Sequence, residues 1–192
     1  MRRSAAETRE HVLQVAHDLF YWNGIRAVGV DRVAAEAGVA PTTLYRLFAS
    51  KDYLIAAYLE RATSLYQEWF EAAAGDADPR ARILGVFDAL TDQVHPRQCR
   101  GCPFLLALAE FPDPEHPAHQ QAVVLKRWVR DRLGDLTAEL AKTAPIGDPD
   151  LLADHLALLI EGVYASAQAL DATGPAQRVR SLVEKLLAFS EE

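Results

Sequence analysis

Apolar residues recur at three- and four-residue spacing along almost the whole of this 192-residue chain, and no long stretch alternates apolar and polar residues. That pattern marks amphipathic helices and argues against half-buried strands, so the chain is expected to be all-α, with about nine helices. Local chemistry sets their ends. Ser4, with Glu7 three residues on, forms a capping box. Val12, Ala16, Leu19 and Phe20 line one face of a first helix that stops at Asn23-Gly24. A short helix is expected over 30–37, ended by Gly38, and another from Pro41, where a missing amide hydrogen costs nothing, to about residue 48. Ser50 caps a long helix with Leu54, Tyr58, Ala62, Leu65 and Trp69 inward and Gly75 at its end. Asp78-Pro79, Asp148-Pro149 and Gly174-Pro175 open three more. Residues 95–103 and 112–117 read as loops on either side of a short helix over 104–111. A helix of roughly 37 Å follows over 118–142, with Leu125, Val129, Leu133, Leu136 and Leu140 inward. The expected division is residues 1–50 and 51–192.

Several classes of protein are excluded at this level. The longest run of consecutive apolar side chains, residues 102–109, is eight long and contains a proline. A bilayer helix needs about 20, so no membrane span is expected. The N-terminal residues lack an apolar signal core, and the chain is read as soluble and cytoplasmic. Two cysteines do not make a secreted disulfide framework. No GxGxxG, phosphate-binding P-loop, GxSxG or HExxH sequence occurs, nor paired Glu-x-x-His, so neither an enzyme nor a cofactor is expected. The net charge of −7 argues against a protein that coats nucleic acid. Its distribution is uneven: residues 1–52 carry seven basic against six acidic side chains, and residues 53–192 carry 13 against 21. An N-terminal segment facing phosphate and a larger acidic body facing something else would produce that asymmetry.

Residues 30–48, VDRVAAEAGVAPTTLYRLF, are the most informative. Two short helices separated by Gly-Val-Ala are the pattern of a helix-turn-helix, whose second helix places its N-terminal side chains in the major groove. The motif needs a small residue where the helices cross (Ala34), one tolerating positive φ in the turn (Gly38) and an apolar plug after it (Val39). All three are present. The second helix then offers Thr42, Thr43, Tyr45 and Arg46 to base edges and phosphates, and Lys51 just beyond it offers a phosphate anchor.

This block resembles the DNA-binding domain of the tetracycline-repressor family over about residues 8–58. The resemblance is carried by Phe20, Gly24, Val33-Ala34, Ala37-Gly38-Val39, Thr43-Leu44-Tyr45, Phe48 and Ser50-Lys51. It implies that Thr43, Tyr45 and Lys51 touch phosphate while Pro41, Thr42 and Arg46 read bases; Arg3 and Gly29 complete the DNA-facing set. The sequence departs from the family at Gly29 and Ala40, where hydroxyl residues are common, and at Leu47, where His is common. The family further implies a homodimer on double-stranded operator DNA, released by a small-molecule effector.

The remaining residues must then supply an effector site and a dimer face. Tyr66, Trp69, Phe70, Phe87, Phe104, Leu108, Trp128 and Tyr164 are the candidates for lining a cavity, with Glu110, Glu161 and Gln168 as polar residues that would orient a ligand. The eighth helix carries two apolar stripes. One is Leu152, Leu156, Leu159 and Val163; the other is Leu158, Gly162, Ala165 and Ala169. One buried face needs one stripe, so the second asks for a closely approaching partner, joined by Leu182 and Leu186 of the last helix. Cys99, Cys102, His116 and His119 have the spacing C-x2-C-x13-H-x2-H, near that of a zinc finger. A metal- or redox-sensing regulator is one alternative reading, and a ligand-independent DNA-binding activator is the other; the preferred reading of these four residues is a packed thiol and surface histidines, with no metal. His11, His17, His95 and His155 read as structural.

Overall fold

Five of the nine α-helices found among the described residues begin on a proline, whose fixed φ suits the first helical position and whose missing N–H is not needed there. The computed structural model describes residues 3–94, 99–170 and 174–189, for Phe189 the backbone only; His95 and the first part of the expected 95–103 loop fall outside these residues. The helices are α1 (Ala5–Asn23), α2 (Val30–Glu36), α3 (Pro41–Leu47), α4 (Lys51–Ala74), α5 (Pro79–Gln93), α6 (Pro103–Glu110), α7 (Pro117–Leu140), α8 (Pro149–Leu170) and α9 (Val179–Phe189). No strand occurs among the described residues, so the all-α expectation holds. None of the described helices is long and apolar enough to cross a membrane.

Side chains cap several of these helices where the sequence places the signals. At α1 the Glu7 amide donates to Ser4 Oγ at 3.2 Å and the Ser4 amide donates to Glu7 Oε2 at 2.7 Å. Those bonds, the backbone one first, hold the Glu7 carboxyl below its ordinary pKa. Asp78 and Asp148 each accept the amide three residues on, at 3.0 Å. The last helix starts later than expected: Pro175–Arg178 forms a 3-10 turn, and α9 follows from Val179.

The chain divides into two compact units, Met1–Leu65 with Pro103–Val124, and Tyr66–Cys102 with Leu125–Glu192. In the first, Val12, Leu13, Ala16 and Phe20 of α1 share a core with Val33, Leu44, Leu54 and Tyr58, all at most 2 % exposed. Arg61 bridges Glu10 at 2.6 Å and Gln14 at 3.0 Å. Leu65, expected inward, is 46 % exposed. Beyond Ala62 the buried positions of α4 step by four, to Tyr66, Phe70 and Ala74, so the stripe rotates away from Leu65.

In the second unit Gly85 marks a close approach of α5 to α4, since a Cβ there would sit 2.5 Å from the Ala73 carbonyl oxygen. Leu125, Val129, Leu133, Leu136 and Leu140 of α7 are all buried, as their spacing requires. Arg132 grips Glu71 with two bonds of 2.6 and 2.9 Å, Arg82 meets Glu139 at 2.6 Å, and Arg180 pairs with Asp88.

Candidate functional site

The helix-turn-helix is built as its spacing demands. Ala34 is 1 % exposed at the crossing of α2 and α3, and Gly38 takes φ +64°, a left-handed turn that a side chain would strain. The Val39 amide closes the turn on the Ala34 carbonyl at 3.0 Å. Val33 and Leu44 are fully buried beneath it. Pro41, Thr42, Tyr45 and Arg46 are therefore exposed on the outer side of α3, with Thr43 half-buried. Arg3, Thr8, Val39, Thr43 and Arg46 line one groove of about 640 Å³. Arg9, Tyr45 and Arg46 contribute to a second of about 420 Å³. Gly29 and Ala40 are the N-cap residues of α2 and α3, and neither helix has a side-chain cap bond. Two of the three departures seen in the sequence, Gly29 and Ala40, thus fall where a hydroxyl would have capped.

Lys51 is half-buried, and its Nζ donates to the Arg26 carbonyl at 3.1 Å. Burial lowers its pKa, opposed chiefly by Glu110 and then Asp52. Glu110, read from sequence as a residue that would orient a ligand, does something else. Its Oε1 accepts the Ile25 amide at 2.9 Å and its Oε2 accepts the Arg26 amide at 2.7 Å. His11 Nε2 lies 3.2 Å from the Ala37 carbonyl, and His17 stacks with Tyr21 and meets Tyr58 edge-on. These histidines are structural, as expected.

The effector candidates separate by unit. Phe104 and Leu108 belong to the first; Tyr66, Trp69, Phe70, Phe87, Trp128 and Tyr164 belong to the second. Within the second, ring centroids run from Tyr66 to Trp69 at 5.1 Å, Trp69 to Phe70 at 6.4 Å and Phe70 to Trp128 at 5.4 Å. Tyr66 and Tyr164 are both buried, and the Tyr164 hydroxyl donates to Gln93 Oε1 at 3.0 Å. Burial raises the pKa of both, so each is a neutral donor at ordinary pH. Lys126, which sequence reasoning missed, donates to Cys102 Sγ at 3.2 Å and to both Glu161 oxygens at 2.7 and 2.8 Å. The separation of residues 126 and 161 offers no local signal for that pair.

The Cys99 and Cys102 side chains are buried. His119 Nδ1 lies 2.8 Å from the Phe111 carbonyl, and His116 accepts the Ala118 amide at 3.1 Å while stacking on Phe111. Among the described residues no group of three or more His, Cys, Asp or Glu side chains is arranged to hold a metal ion.

On α8 the first stripe is turned inward, with Leu152, Leu156 and Val163 buried and Leu159 half-buried. The second is turned out: Leu158 is 68 % exposed, and Gly162, Ala165 and Ala169 are exposed with it. On α9, Val179, Val183 and Leu187 pack inward, Leu182 is 45 % exposed and Leu186 is half-buried. Leu159, Gly162, Ala176, Val179 and Leu182 line a largely apolar groove of about 460 Å³.

A helix-turn-helix with a basic, hydroxyl-bearing outer face, followed by a longer run of helices, defines a DNA-binding transcriptional regulator. The model of the bacterial regulatory proteins of the tetR family matches residues 12–58, and that of the tetracyclin repressor-like C-terminal domain matches residues 79–183. The chain belongs to the TetR family of transcriptional regulators. Among its relatives, the HTH-type transcriptional regulator YjdC of Escherichia coli is 27 % identical, the match covering 95 % of this chain and 94 % of that one. A TetR-family transcriptional regulator from Streptomyces coelicolor is 34 % identical in its crystal structure, with a TM-score of 0.90 and 97 % of each chain covered. A TetR transcriptional regulator from Chloroflexus aurantiacus, at 24 % identity, shares the fold with a TM-score of 0.84 over 97 % of each chain.

Proposed function

We propose that this regulator is a repressor that binds a near-palindromic operator as a homodimer and is released by a small molecule, acting in the cytoplasm. Residues 1–50 read one half-site per protomer, the half-sites lying one helical turn or a multiple of it apart. Thr42, Arg46 and Pro41 face bases, Thr43, Tyr45 and Lys51 face phosphate, and Arg3 and Gly29 complete the DNA-facing surface. Residues 51–192 dimerise and bind the effector. The observation that carries the dimer is the exposed stripe Leu158, Gly162, Ala165 and Ala169 beside Leu182. A solvated helix face has no need of it, and two-fold symmetry would bury it against its own copy. The aromatic group of the second unit, with neutral tyrosine donors and the Lys126–Glu161 pair at hand, suits a partly apolar ligand with a polar end. Such a ligand acts only by binding two conformations unequally.

Light scattering on the protein alone and on an operator duplex tests the assembly. Twice 21.2 kDa in solution and two chains per duplex are expected. One chain in both would contradict it. A compound that raises the thermal midpoint and releases the duplex, with both effects lost in Trp128→Ala, would support the effector reading; release that survives this substitution places the ligand elsewhere.

A further inference from the structure

Past the end of α1 the amides of Ile25 and Arg26 have no helical carbonyl to meet, because the last turn closes with the Gly24 amide on the Phe20 carbonyl at 2.9 Å. Glu110, the last residue of α6, takes both with one carboxylate. A carboxylate at a helix C-terminus opposes the helix dipole. Two short charge-assisted bonds offset that cost, as do the cations at hand. Lys51 lies within electrostatic reach of Glu110 and donates to the Arg26 carbonyl, while the Arg26 guanidinium lies 5.1 Å from the Phe111 ring centroid. One residue is thus pinned on both sides: the Arg26 N–H by Glu110, the Arg26 C=O by Lys51. The side chains of Ile25 and Val28 are buried on either side of it, and α2 starts two residues beyond Val28.

We propose that Glu110 is a positioning residue for DNA binding. Its carboxylate fixes the turn between α1 and α2, and through the Arg26 carbonyl it holds the Lys51 ammonium where it meets phosphate. The inference rests on the DNA-binding role of the helix-turn-helix and adds a residue from α6, outside that motif, that sets it.

The test compares wild type, Glu110→Gln and Glu110→Asp as full chains. Gln keeps the shape but points an NH2 at an amide N–H; Asp keeps the charge but falls one methylene short, and it is read alone if Gln does not fold. Amide hydrogen exchange without DNA is expected to show Ile25 and Arg26 losing protection while α4 keeps its own. On a duplex that wild type selects from a random-sequence pool, both variants should bind about tenfold more weakly, the worth of one charge-assisted hydrogen bond. The salt slope should flatten by about one phosphate. A merely structural role would lower the thermal midpoint and leave affinity and slope of the folded protein unchanged; that result, or unchanged exchange at both amides, overturns the proposal. Wild type that selects no duplex overturns the DNA-reading role itself and the Glu110 role with it. Wild type that selects one while both variants match it overturns the Glu110 role alone.

Discussion

Gly162→Leu separates the fold of one protomer from the assembly of two. A Cβ at Gly162 meets nothing within 4 Å in its own chain. Glycine inside a helix costs about 0.8–1.0 kcal/mol relative to alanine, with leucine close to alanine, so the substitution should leave the protomer intact and stabilise α8 by roughly that amount. The dimer is expected to suffer. If the stripe through Leu158, Gly162, Ala165 and Ala169 faces its symmetry mate, each leucine enters space the partner helix needs. Overpacking of this kind costs about 1–3 kcal/mol, and two-fold symmetry makes it occur twice. At about 1.4 kcal/mol per tenfold, roughly 2–6 kcal/mol weakens dimerisation by about one and a half to four decades. Sedimentation velocity over a dilution series reads the dimer Kd, and far-UV circular dichroism reads the fold of the dissociated chain. A leucine variant that is folded and dimerises as tightly as wild type refutes the reasoning and moves the interface off this face.

Gly85→Ala should do the reverse, lowering the thermal midpoint by the equivalent of about 1–3 kcal/mol because its Cβ runs into the Ala73 carbonyl oxygen; an unmoved midpoint contradicts the close approach. Arg46→Ala should relax specificity at one operator position by about 1–3 kcal/mol, whereas Lys51→Ala should weaken all duplexes alike and flatten the salt dependence, and equal effects on cognate and random DNA would remove Arg46 from the base readers. Burial lowers the His17 pKa below its ordinary 6.5, so the native state holds fewer protons than the unfolded chain in the window just beneath that value. Its stabilising contribution is complete above about pH 6.5 and is lost as pH falls towards the folded-state pKa. Urea midpoints measured through this window should show a slope that His17→Gln reduces; an identical slope in the variant would exclude His17 as its source.

Signals that act within four residues are legible in the sequence alone. Ser4 and Glu7 cap α1, Asp78 and Asp148 cap α5 and α8, and Gly38 adopts the positive φ that the helix-turn-helix requires. The two apolar stripes of α8 separate into a buried and an exposed one, a distinction that the 3.6-residue period carries by itself. Interactions between distant residues leave no such trace. Leu65 and Tyr66 are both large apolar neighbours, and only the packing along Ala62, Phe70 and Ala74 decides which turns inward. Glu110 reads as a polar residue on an apolar helix because its partners, two backbone amides 84 and 85 residues away, have no side-chain identity to read. The CxxC and paired histidines match a metal spacing in one dimension, yet the histidines are engaged with their own loop.

Selection of duplexes from a random-sequence pool by the wild-type protein, followed by sequencing, tests the central claim most directly. A dimeric helix-turn-helix regulator should enrich one near-palindromic sequence, its half-sites about one helical turn or a multiple of it apart and its outer positions fixed through Arg46 and Thr42. Enrichment of no sequence, or of a lone asymmetric half-site bound by one chain, would contradict it.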